Sequence, residues 1–293
     1  MTIRKAVIPA AGLGTRLLPS TKELPKEMLP IYTKSKDGSL TIKPLLQTIF
    51  EILYDTGLRE FCFIIGRGKR AIEDHFTPDF NYLSLLEERG KNKKAEELRS
   101  FYEKIQNSIL IWVQQEFPKG FGDAVLRAKI FAKDEPFLVY AGDILILSSK
   151  ENYIKKLIEI YNQLHGDAIF LVSRVENPTI YGVVVPKEEI KNGIFLVEKV
   201  IEKPKKPPSN LAIMPIYVFD PIIFKALENL TPSERGEIEL TDGIQRLIDW
   251  GLKVYAVELG SDGIWLDIGN PESYWKALKL SYEMVKKELP CPE

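Results

Sequence analysis

The sequence predicts an α/β fold of the Rossmann-like, three-layer type, with a mostly parallel (mixed) sheet between two layers of helices. Short apolar runs alternate with stretches of helical periodicity along most of the chain. This alternation is typical of parallel strands joined by right-handed crossover helices. A Gly-rich turn also follows the first apolar run directly, and ligands of open α/β sheets bind where strands end.

Patterns in the first half define the elements in order. Apolar runs bounded by turn residues predict strands, and apolar residues at i, i+3/4 and i+7/8 predict helices. Leu45, Ile49 and Leu53 follow the helical spacing, and Gly57 ends that helix. The predicted strands are Ala6–Pro9, Phe61–Ile65, Ile109–Val113, Phe137–Tyr140 and Ala168–Ser173, and the predicted helices are Pro44–Thr56, Glu87–Ile105, Asp123–Ala132 and Asn152–Leu164.

The second half of the chain carries more strands and fewer helices between them. The predicted strands are Tyr181–Val185, Phe195–Val200, Ile213–Phe219 and Lys253–Val257, and the predicted helices are Pro221–Asn229, Leu240–Trp250 and Pro271–Lys287. There is no internal repeat and no low-complexity linker. A single continuous domain over residues 1–293 is therefore the more economical interpretation.

Composition excludes several classes of protein. The chain of 293 residues is 45% hydrophobic and 28% charged, as folded globular proteins are. Its 40 basic and 41 acidic residues give a net charge of -1, so no overall positive field would attract nucleic acid or a membrane. No apolar run approaches the ~20 residues of a membrane span. Two cysteines are too few for a disulfide scaffold, so we expect a cytoplasmic protein in which Cys62 is a buried free thiol.

The Gly-rich turn after the first strand has the sequence Ala10–Arg16. Gly12 and Gly14 would let backbone N–H groups approach a phosphate, and Arg16 supplies a forked cation. A purely structural turn is the alternative. The chain has no Walker A sequence, and Leu17 stands where a dinucleotide fingerprint needs a small residue.

Two further segments carry cations near predicted strand ends. The turn Gly66–Ala71 matches G-x-G-x-x-[GA], but three basic residues crowd it, and we interpret it as a surface turn. Pro25 and Pro30 bracket Lys26, and prolines can hold a cation in a fixed place. Lys26 alone would be an ordinary exposed lysine; together with Arg16 it predicts a clamp on a triphosphate.

Residues 12–22, followed by Pro25–Pro30, resemble the signature of sugar-1-phosphate nucleotidylyltransferases. The Lys-Glu-Met-Leu-Pro form and the segment Gly68–Phe76 with a charged helical insertion most resemble the bacterial UTP–glucose-1-phosphate uridylyltransferase (UDP-glucose pyrophosphorylase) branch, because related thymidylyltransferases usually lack that insertion. The resemblance continues in collinear order through residues 115–125, 142–143, 181–184, 202–204, 237–242 and 265–270.

The resemblance implies a nucleotide-diphospho-sugar transferase fold and an enzyme that makes UDP-glucose and pyrophosphate from UTP and glucose 1-phosphate with Mg²⁺. It also implies a homodimer or homotetramer, with residues 1–145 mainly binding nucleotide and residues 146–293 mainly binding sugar. The implied site residues are Arg16, Lys26 and Lys203 as catalytic cations, Ala11, Gly12, Gly14, Glu27, Gln115 and Gly120 at the nucleotide, Gly182, Glu202 and Lys203 at the sugar, and Asp143 and Asp267 at Mg²⁺.

The implied chemistry explains why cations and a metal are needed. A phosphate nucleophile is already largely dianionic at neutral pH, so no general base is required. The barrier lies in bringing two anions together, which positioned cations lower. Asp143 follows a predicted strand, and two carboxylates with substrate phosphates suit Mg²⁺. The residues alone leave a structural alternative for each aspartate: Asp143 could be a helix N-cap or loop acid, and Asp267 could be a turn acid.

Three other functions compete with this prediction. They are the same fold acting on dTTP or another sugar phosphate, a non-catalytic sugar-nucleotide regulator, and a dinucleotide oxidoreductase. A regulator has no need of the metal and clamp residues together. One segment departs from the family: Tyr32–Ile42 is polar and is predicted to be an inserted hairpin or loop near the mouth of the site. Trp265, beside Asp267, could line the site.

Overall fold

A nine-stranded mixed sheet runs through the centre of the protein in the computed structural model, which describes residues 3–148, 152–260 and 263–287. The strands are β1 (Lys5–Ala10), β2 (Pro30–Lys34), β3 (Leu40–Pro44), β4 (Glu60–Ile65), β5 (Ile109–Gln114), β6 (Phe137–Tyr140), β7 (Ile144–Leu147), β8 (Ala168–Arg174), β9 (Gly182–Lys191), β10 (Ile194–Glu202), β11 (Leu211–Phe219), β12 (Val254–Glu258) and β13 (Ile264–Asp267). The helices are α1 (Leu45–Asp55), α2 (Arg70–His75), α3 (Phe80–Glu88), α4 (Asn92–Gln106), α5 (Phe121–Arg127), α6 (Lys129–Ala132), α7 (Tyr153–Leu164), α8 (Ile222–Glu228), α9 (Leu240–Asp249) and α10 (Pro271–Lys287).

The strand order is β5-β4-β1-β6-β11-β8-β12-β10-β9. The first four strands in this order are parallel to one another, and β8 and β12 are also a parallel pair. Strand β11 is antiparallel to both β6 and β8, and β10 is antiparallel to β12 and β9. The expected mixed sheet is confirmed, with its parallel pairing concentrated in the first half. The carboxyl ends of β1, β4, β5 and β6 therefore meet at one edge.

Alternating side chains of the central strands feed two apolar layers, one on each face. Phe61 and Phe63 of β4 pack with α1, while Cys62 and Ile64 of the same strand pack with α5. Helices α7 and α10 cover the first face, and α8 and α9 cover the second. The expectation for Cys62 is confirmed, since the thiol is fully buried and free, and burial raises its pKa to about 12.

Most predicted helices and strands are confirmed, but helix α2 was not expected, and three further differences occur. The single helix expected over residues 87–105 is wrong, because Gly90 at φ +67° ends α3 and a separate helix, α4, follows. The helix over residues 123–132 divides at Ala128 into α5 and α6. The two-stranded ribbon of β7 and β13 was not expected. In the part of the chain that the structure describes, no helix is both long and apolar enough to cross a membrane.

Candidate active site

A cleft lies at the carboxyl edge of the parallel strands and consists of two adjoining cavities of about 390 and 470 Å³. Arg16 and Phe121 line both cavities and therefore stand where the two meet. The first is also lined by Pro9, Ala11, Gly12, Leu13, Gly14, Thr15, Lys26, Glu27, Gln115, Pro118, Gly120, Ala124, Asp143, Glu237 and Gly269. The second is also lined by Ile144, Thr179, Ile180, Tyr181, Gly182, Glu202, Lys203, Ile213, Pro215, Tyr217, Glu239, Leu240, Thr241, Trp265 and Asp267.

Every site residue that the sequence suggested lines one of these cavities. The first cavity holds the residues expected at the nucleotide together with Lys26 and Asp143. The second holds those expected at the sugar together with Asp267. A chain of this length thus gathers its dispersed candidate residues in one cleft. Their roles in binding and catalysis are predictions that this placement motivates.

The Gly-rich turn is shaped by its own hydrogen bonds. Gly14 adopts φ +65°, which a side chain would disfavour, and its carbonyl accepts a hydrogen bond from the Thr21 hydroxyl at 2.8 Å. A Cβ on Gly12 would lie 3.5 Å from Nζ of Lys26. The backbone of the turn therefore lies against the ammonium group of the lysine, and both face the same cavity.

Lys26 and Asp143 form an ion pair, with Nζ 2.5 Å from Oδ2. Burial alone would lower the pKa of Lys26, but the negative charges of Asp143 and then Glu27 raise it above its ordinary value. Burial would likewise raise the pKa of Asp143, but Lys26 holds it below the usual range. The pKa of Asp267 is raised, first by burial and then by the charge of Asp143. Of the two aspartates, Asp267 is the one whose negative charge its surroundings compensate less.

The ribbon of β7 and β13 brings the two aspartates together. Asp267 pairs in register with Ile144, the residue after Asp143, and the Ile268 N–H donates to the Asp143 carbonyl at 3.3 Å. The charge of Asp143 raises the proton affinity of Asp267, and a neighbouring pair of carboxylates fits a divalent cation. Among the described residues no group of three or more His, Cys, Asp or Glu side chains could hold a metal. A cation here would therefore take its remaining ligands from substrate and water.

Gln115 closes one wall of the first cavity. Its Nε2 donates to the Gly120 carbonyl at 3.1 Å and to Oδ2 of Asp123 at 2.8 Å, so both amide N–H groups are used within the protein. The side chain therefore offers a ligand its amide oxygen, an acceptor. Gly120 adopts φ +109°, and a Cβ there would lie 2.6 Å from the carbonyl oxygen of Ile238. Only glycine lets these two segments approach so closely.

The second cavity is built around the carboxylate of Glu202, at the end of β10. Its Oε2 accepts a hydrogen bond from the Thr241 hydroxyl at 2.5 Å, and its Oε1 accepts one from Arg235 at 3.3 Å. Nζ of Lys203 lies 3.6 Å from the same Oε1. A Cβ on Gly182 would lie 3.0 Å from Thr241 and 3.2 Å from Glu202. Gly182 therefore leaves the approach to this carboxylate open.

Trp265 lines the second cavity, which confirms the expectation from the sequence. Its indole ring stands edge-on to the ring of Tyr181, with the ring centroids 5.1 Å apart. Among the described residues, Nε1 of Trp265 is the one buried side-chain nitrogen or oxygen without a hydrogen-bond partner. The pair Tyr181–Trp265 supplies the aromatic wall of the cavity.

The interpretation of Gly66–Ala71 as a surface turn is wrong for Lys69. This side chain is buried, and its Nζ lies 2.7 Å from Oε2 of Glu27, behind the wall of the first cavity. The turn follows β4, the parallel neighbour of β1, so its carboxyl end adjoins the Gly-rich turn. The adjacency of β1 and β4 could have placed Lys69 beside the Gly-rich turn. The basic residues Arg67 and Arg70, which are exposed, instead favoured a surface turn.

Sequence reasoning also missed Arg235 and Thr241, which hold Glu202. Thr241 lies within a segment that resembles the family, but no pattern of spacing connects it with Glu202. Arg235 also pairs with Oε1 of the buried Glu239 at 2.5 Å. The arginine thus bridges two acidic residues that come from different elements.

The sequence predicts a hairpin or a loop at residues 32–42, and the structure has a hairpin of β2 and β3 there. Residues 32–42 line neither cavity, and the expected position near the mouth of the site stays a prediction. The ring of Tyr32 instead packs edge-on against Tyr282 of α10 at 5.2 Å, and the tip residues Lys36 and Asp37 pair with α4. The hairpin therefore contacts both α4 and α10 on one face of the sheet.

Known proteins that resemble this chain define its class. Residues 5–283 match the family model described as nucleotidyl transferase. The UTP–glucose-1-phosphate uridylyltransferase of Streptococcus pneumoniae serotype 4 is 38% identical to this chain, over 98% of the chain and 94% of that protein. The enzyme of the same name from Streptococcus pyogenes is also 38% identical, over 98% and 92%.

Solved structures agree with the sequence relatives. A UDP-glucose pyrophosphorylase complexed with UDP-glucose superimposes with a TM-score of 0.83 at 31% identity, covering 97% of this chain and 100% of that one. The UTP-bound enzyme from Acinetobacter baumannii has a TM-score of 0.82 at 29% identity, over 99% and 100%. The chain belongs to the nucleotidyl transferase family and, within it, to the UTP–glucose-1-phosphate uridylyltransferases.

Proposed function

We propose that this protein transfers a uridylyl group from UTP to α-D-glucose 1-phosphate, forming UDP-glucose and pyrophosphate. The observation that carries the proposal is the continuous cleft in which the Gly-rich turn and Lys26 meet Glu202 and Lys203. Relatives at 38% identity have the corresponding name, and a similar structure holds UDP-glucose. The two cavities suit the two ends of such a product: the first offers the amide oxygen of Gln115 beside the Gly-rich turn, and the second offers the hydrogen-bonding side chains Glu202 and Thr241.

In the proposed reaction a phosphate oxygen of glucose 1-phosphate attacks the α-phosphorus of UTP. A P–O bond forms there, and the bond to the pyrophosphate leaving group breaks. The phosphate oxygen needs no general base, because it is already ionised at neutral pH. Arg16, Lys26 and Lys203 are proposed to hold the two anions in line and to lower the electrostatic barrier between them. Arg16 lines both cavities, which favours a role at the phosphates that are shared between substrates.

A divalent metal is general in this family, and we propose Mg²⁺ held by Asp143 and Asp267. The raised pKa of Asp267 beside Asp143 supports a shared cation, since a bound cation relieves the repulsion between the two carboxylates. Bound there, the ion would neutralise phosphate charge and polarise the α-phosphorus. Lys26 supplies a fixed positive charge at the same carboxylate.

Glu202 is proposed to accept hydrogen bonds from sugar hydroxyls. Thr241 and Arg235 fix both of its oxygens before substrate arrives, which lowers the entropic loss on binding. A carboxylate held in this way discriminates by the position of a hydroxyl, because a missing or inverted hydroxyl leaves it unpaired. Lys203, next in the chain, is proposed to bind the sugar phosphate.

Gln115 is proposed to accept the N3–H of uracil through its amide oxygen, the group its own hydrogen bonds leave available. Thymine carries the same N3–H, so this contact does not distinguish UTP from dTTP. The choice of UTP is supported by the named relatives. A structure described as a putative thymidylyltransferase is 23% identical with a TM-score of 0.68, which shows the fold alone.

Pyrophosphate release from purified protein tests the proposal, with UTP, dTTP, ATP and CTP each combined with glucose, galactose and mannose 1-phosphates. The highest kcat/KM is expected for UTP with glucose 1-phosphate. A tenfold preference for dTTP would make the thymidylyltransferase the correct assignment. Tight binding of UDP-glucose with no turnover in any combination would instead favour a non-catalytic regulator.

Three broader properties belong to the same proposal. Residues 1–145 would mainly bind the nucleotide and residues 146–293 mainly the sugar, although Glu237 and Gly269 of the second half also line the first cavity. We propose a cytoplasmic homodimer or homotetramer, for which the buried free thiol of Cys62 suits a reducing compartment. Light scattering coupled to gel filtration measures the oligomeric state, and a purely monomeric species contradicts it.

A further inference from the structure

Lys69 and Glu27 form an ion pair buried beside the first cavity. Their side chains are 8% and 2% exposed, and Nζ of Lys69 lies 2.7 Å from Oε2 of Glu27. Lys69 does not line either cavity of the cleft, whereas Glu27 lines the first. The lysine therefore contacts the wall of the site from behind and has no direct path to a bound phosphate.

A buried ion pair contributes little net stability to a fold, so stability alone does not explain why this pair lies beside the cavity. Well-packed apolar residues of similar volume often serve a folded core as well or better. A buried lysine loses the hydration of its ammonium group, which the partner charge has to offset. The chain nevertheless inserts this lysine from a loop whose flanking residues Arg67 and Arg70 are exposed.

Glu27 is also the residue next to Lys26, and the two belong to the single 3₁₀ turn Lys26–Met28. Backbone hydrogen bonds in this turn are few: Met28 N–H donates to Pro25 and Leu29 N–H donates to Lys26. The turn carries a long, flexible lysine whose Nζ must meet Asp143. Fixing the neighbouring Glu27 through its side chain removes freedom from the backbone that bears Lys26.

The charges around the turn alternate in sign from Lys69 through Glu27 and Lys26 to Asp143. Glu27 lies between two ammonium groups, and each of the two carboxylates attracts Lys26. An ion pair with Lys69 satisfies Glu27 from the far side, so that Lys26 stays directed toward Asp143 and the cavity. Loss of Lys69 would leave Glu27 with Lys26 as its nearest cation.

From this geometry we infer that Lys69 is a positioning residue for the transfer reaction: through Glu27 it holds the turn that directs Lys26 into the cleft. The inference rests on the proposed function, in which Lys26 stabilises charge at the reacting phosphates. Lys69 acts on the rate of the chemical step without touching either substrate. It gives the Gly66–Ala71 turn a part in catalysis.

The test uses the double variant Lys69→Met/Glu27→Gln, which removes both charges together and leaves no uncompensated ion in the core. Its fold is checked by circular dichroism and thermal unfolding. We expect kcat to fall by about tenfold or more, with KM for glucose 1-phosphate changed by less than about threefold, because the transition state loses a positioned cation while neither residue lines the second cavity. Arg70→Met removes a positive charge from the adjacent, exposed position and is expected to leave both constants unchanged.

Combination with Lys26→Met separates positioning from a purely structural role. If Lys69 acts through Lys26, the double variant causes no further loss of kcat in the Lys26→Met background, measured in single-turnover experiments. Independent losses that multiply, or a folded double variant with the kcat of the wild type, would overturn the inference. Should the double variant not fold, Lys69→Arg replaces it, and the inference then requires a fall in kcat in the wild-type background that disappears in the Lys26→Met background.

Wild-type protein is assayed alongside with UTP and glucose 1-phosphate. A wild type that releases no pyrophosphate from any substrate pair contradicts the proposed function. An active wild type together with an unaffected double variant contradicts the role of Lys69 alone.

Discussion

The hydroxyl of Thr241 donates to Oε2 of Glu202 at 2.5 Å, and this contact joins the start of α9 to the end of β10 inside the second cavity. The second oxygen of the same carboxylate is held by Arg235. Glu202 is thus oriented by two side chains of the protein itself. A carboxylate in a fixed orientation can discriminate between positions of a hydroxyl, whereas a mobile carboxylate would adapt to each position.

Replacing Thr241 with Val should raise KM for glucose 1-phosphate by about 5- to 100-fold, since leaving an oxygen of this half-buried carboxylate without its donor costs about 1–3 kcal/mol. KM for UTP should stay within about twofold. Steady-state kinetics with each substrate varied in turn measures both. Thr241→Ser, which keeps the hydroxyl, is the matched control and should retain most of the affinity. Equal loss in the Ser and Val variants would show that packing, and not the hydrogen bond, is responsible.

Replacing Asp143 with Ala should lower kcat by about 100-fold or more, the size expected when a main source of electrostatic stabilisation is removed. The same change should weaken the dependence of activity on Mg²⁺ concentration, because one of two carboxylate ligands is lost. Activity against Mg²⁺ concentration and circular dichroism of the variant are the measurements. Asp74→Ala on the exposed surface of α2 serves as control. Full activity in the Asp143 variant would refute the metal assignment.

Replacing Gly120 with Ala should destabilise the protein and reduce turnover. The added Cβ would lie 2.6 Å from the Ile238 carbonyl, and φ +109° also disfavours a side chain. Gly236 supplies a matched control: it adopts φ +75°, yet nothing lies within 4 Å of its Cβ position. Gly236→Ala should therefore lose only the conformational term of about 1 kcal/mol, and Gly120→Ala clearly more. Urea unfolding of both variants measures the difference, and equal losses would exclude the clash.

His75 should make the protein less stable in mild acid. Burial lowers its pKa from the usual value near 6.5, against the opposing charge of Glu51, and Nε2 pairs with Gln47 at 2.9 Å. The unfolded state then binds a proton more readily than the folded state, so the free energy of unfolding falls as pH drops below about 6.5. Urea unfolding at pH 7.5 and 5.5 tests this. His75→Gln should flatten the dependence of the free energy of unfolding on pH. If that variant keeps the wild-type dependence, another group is responsible for it. His165 is exposed, and His165→Asn is the control.

The sequence was sufficient for the parts of the fold in which local pattern and tertiary structure agree. The run Ala6–Pro9 before the Gly-rich turn is apolar on both faces of the sheet, so it could only be a buried central strand. The ribbon of β7 and β13 escaped prediction because it is short and lies outside the main sheet. Its strands are stabilised by each other, and no periodicity within either one indicates the partner.

The site was predictable where chemistry follows a motif and unpredictable where it depends on contact across the fold. Arg16 and Lys26 lie on segments with distinctive glycines and prolines. Lys69 does not, and its burial depends on the order of strands β4 and β1 in the sheet, which the sequence leaves open. Thr241 acquires its importance from the carboxylate it meets, and nothing in its own neighbourhood identifies it.

The pairing of Asp267 with Ile144 has a consequence for how activity appears during synthesis. A strand that emerges near the end of the chain completes the acidic pair begun near its middle. A growing polypeptide can form the parallel half of the sheet early, since its contacts are nearer in sequence. It cannot assemble both carboxylates until β13 has left the ribosome, so under the proposed metal assignment a product truncated before β13 has no activity even where its first half is folded.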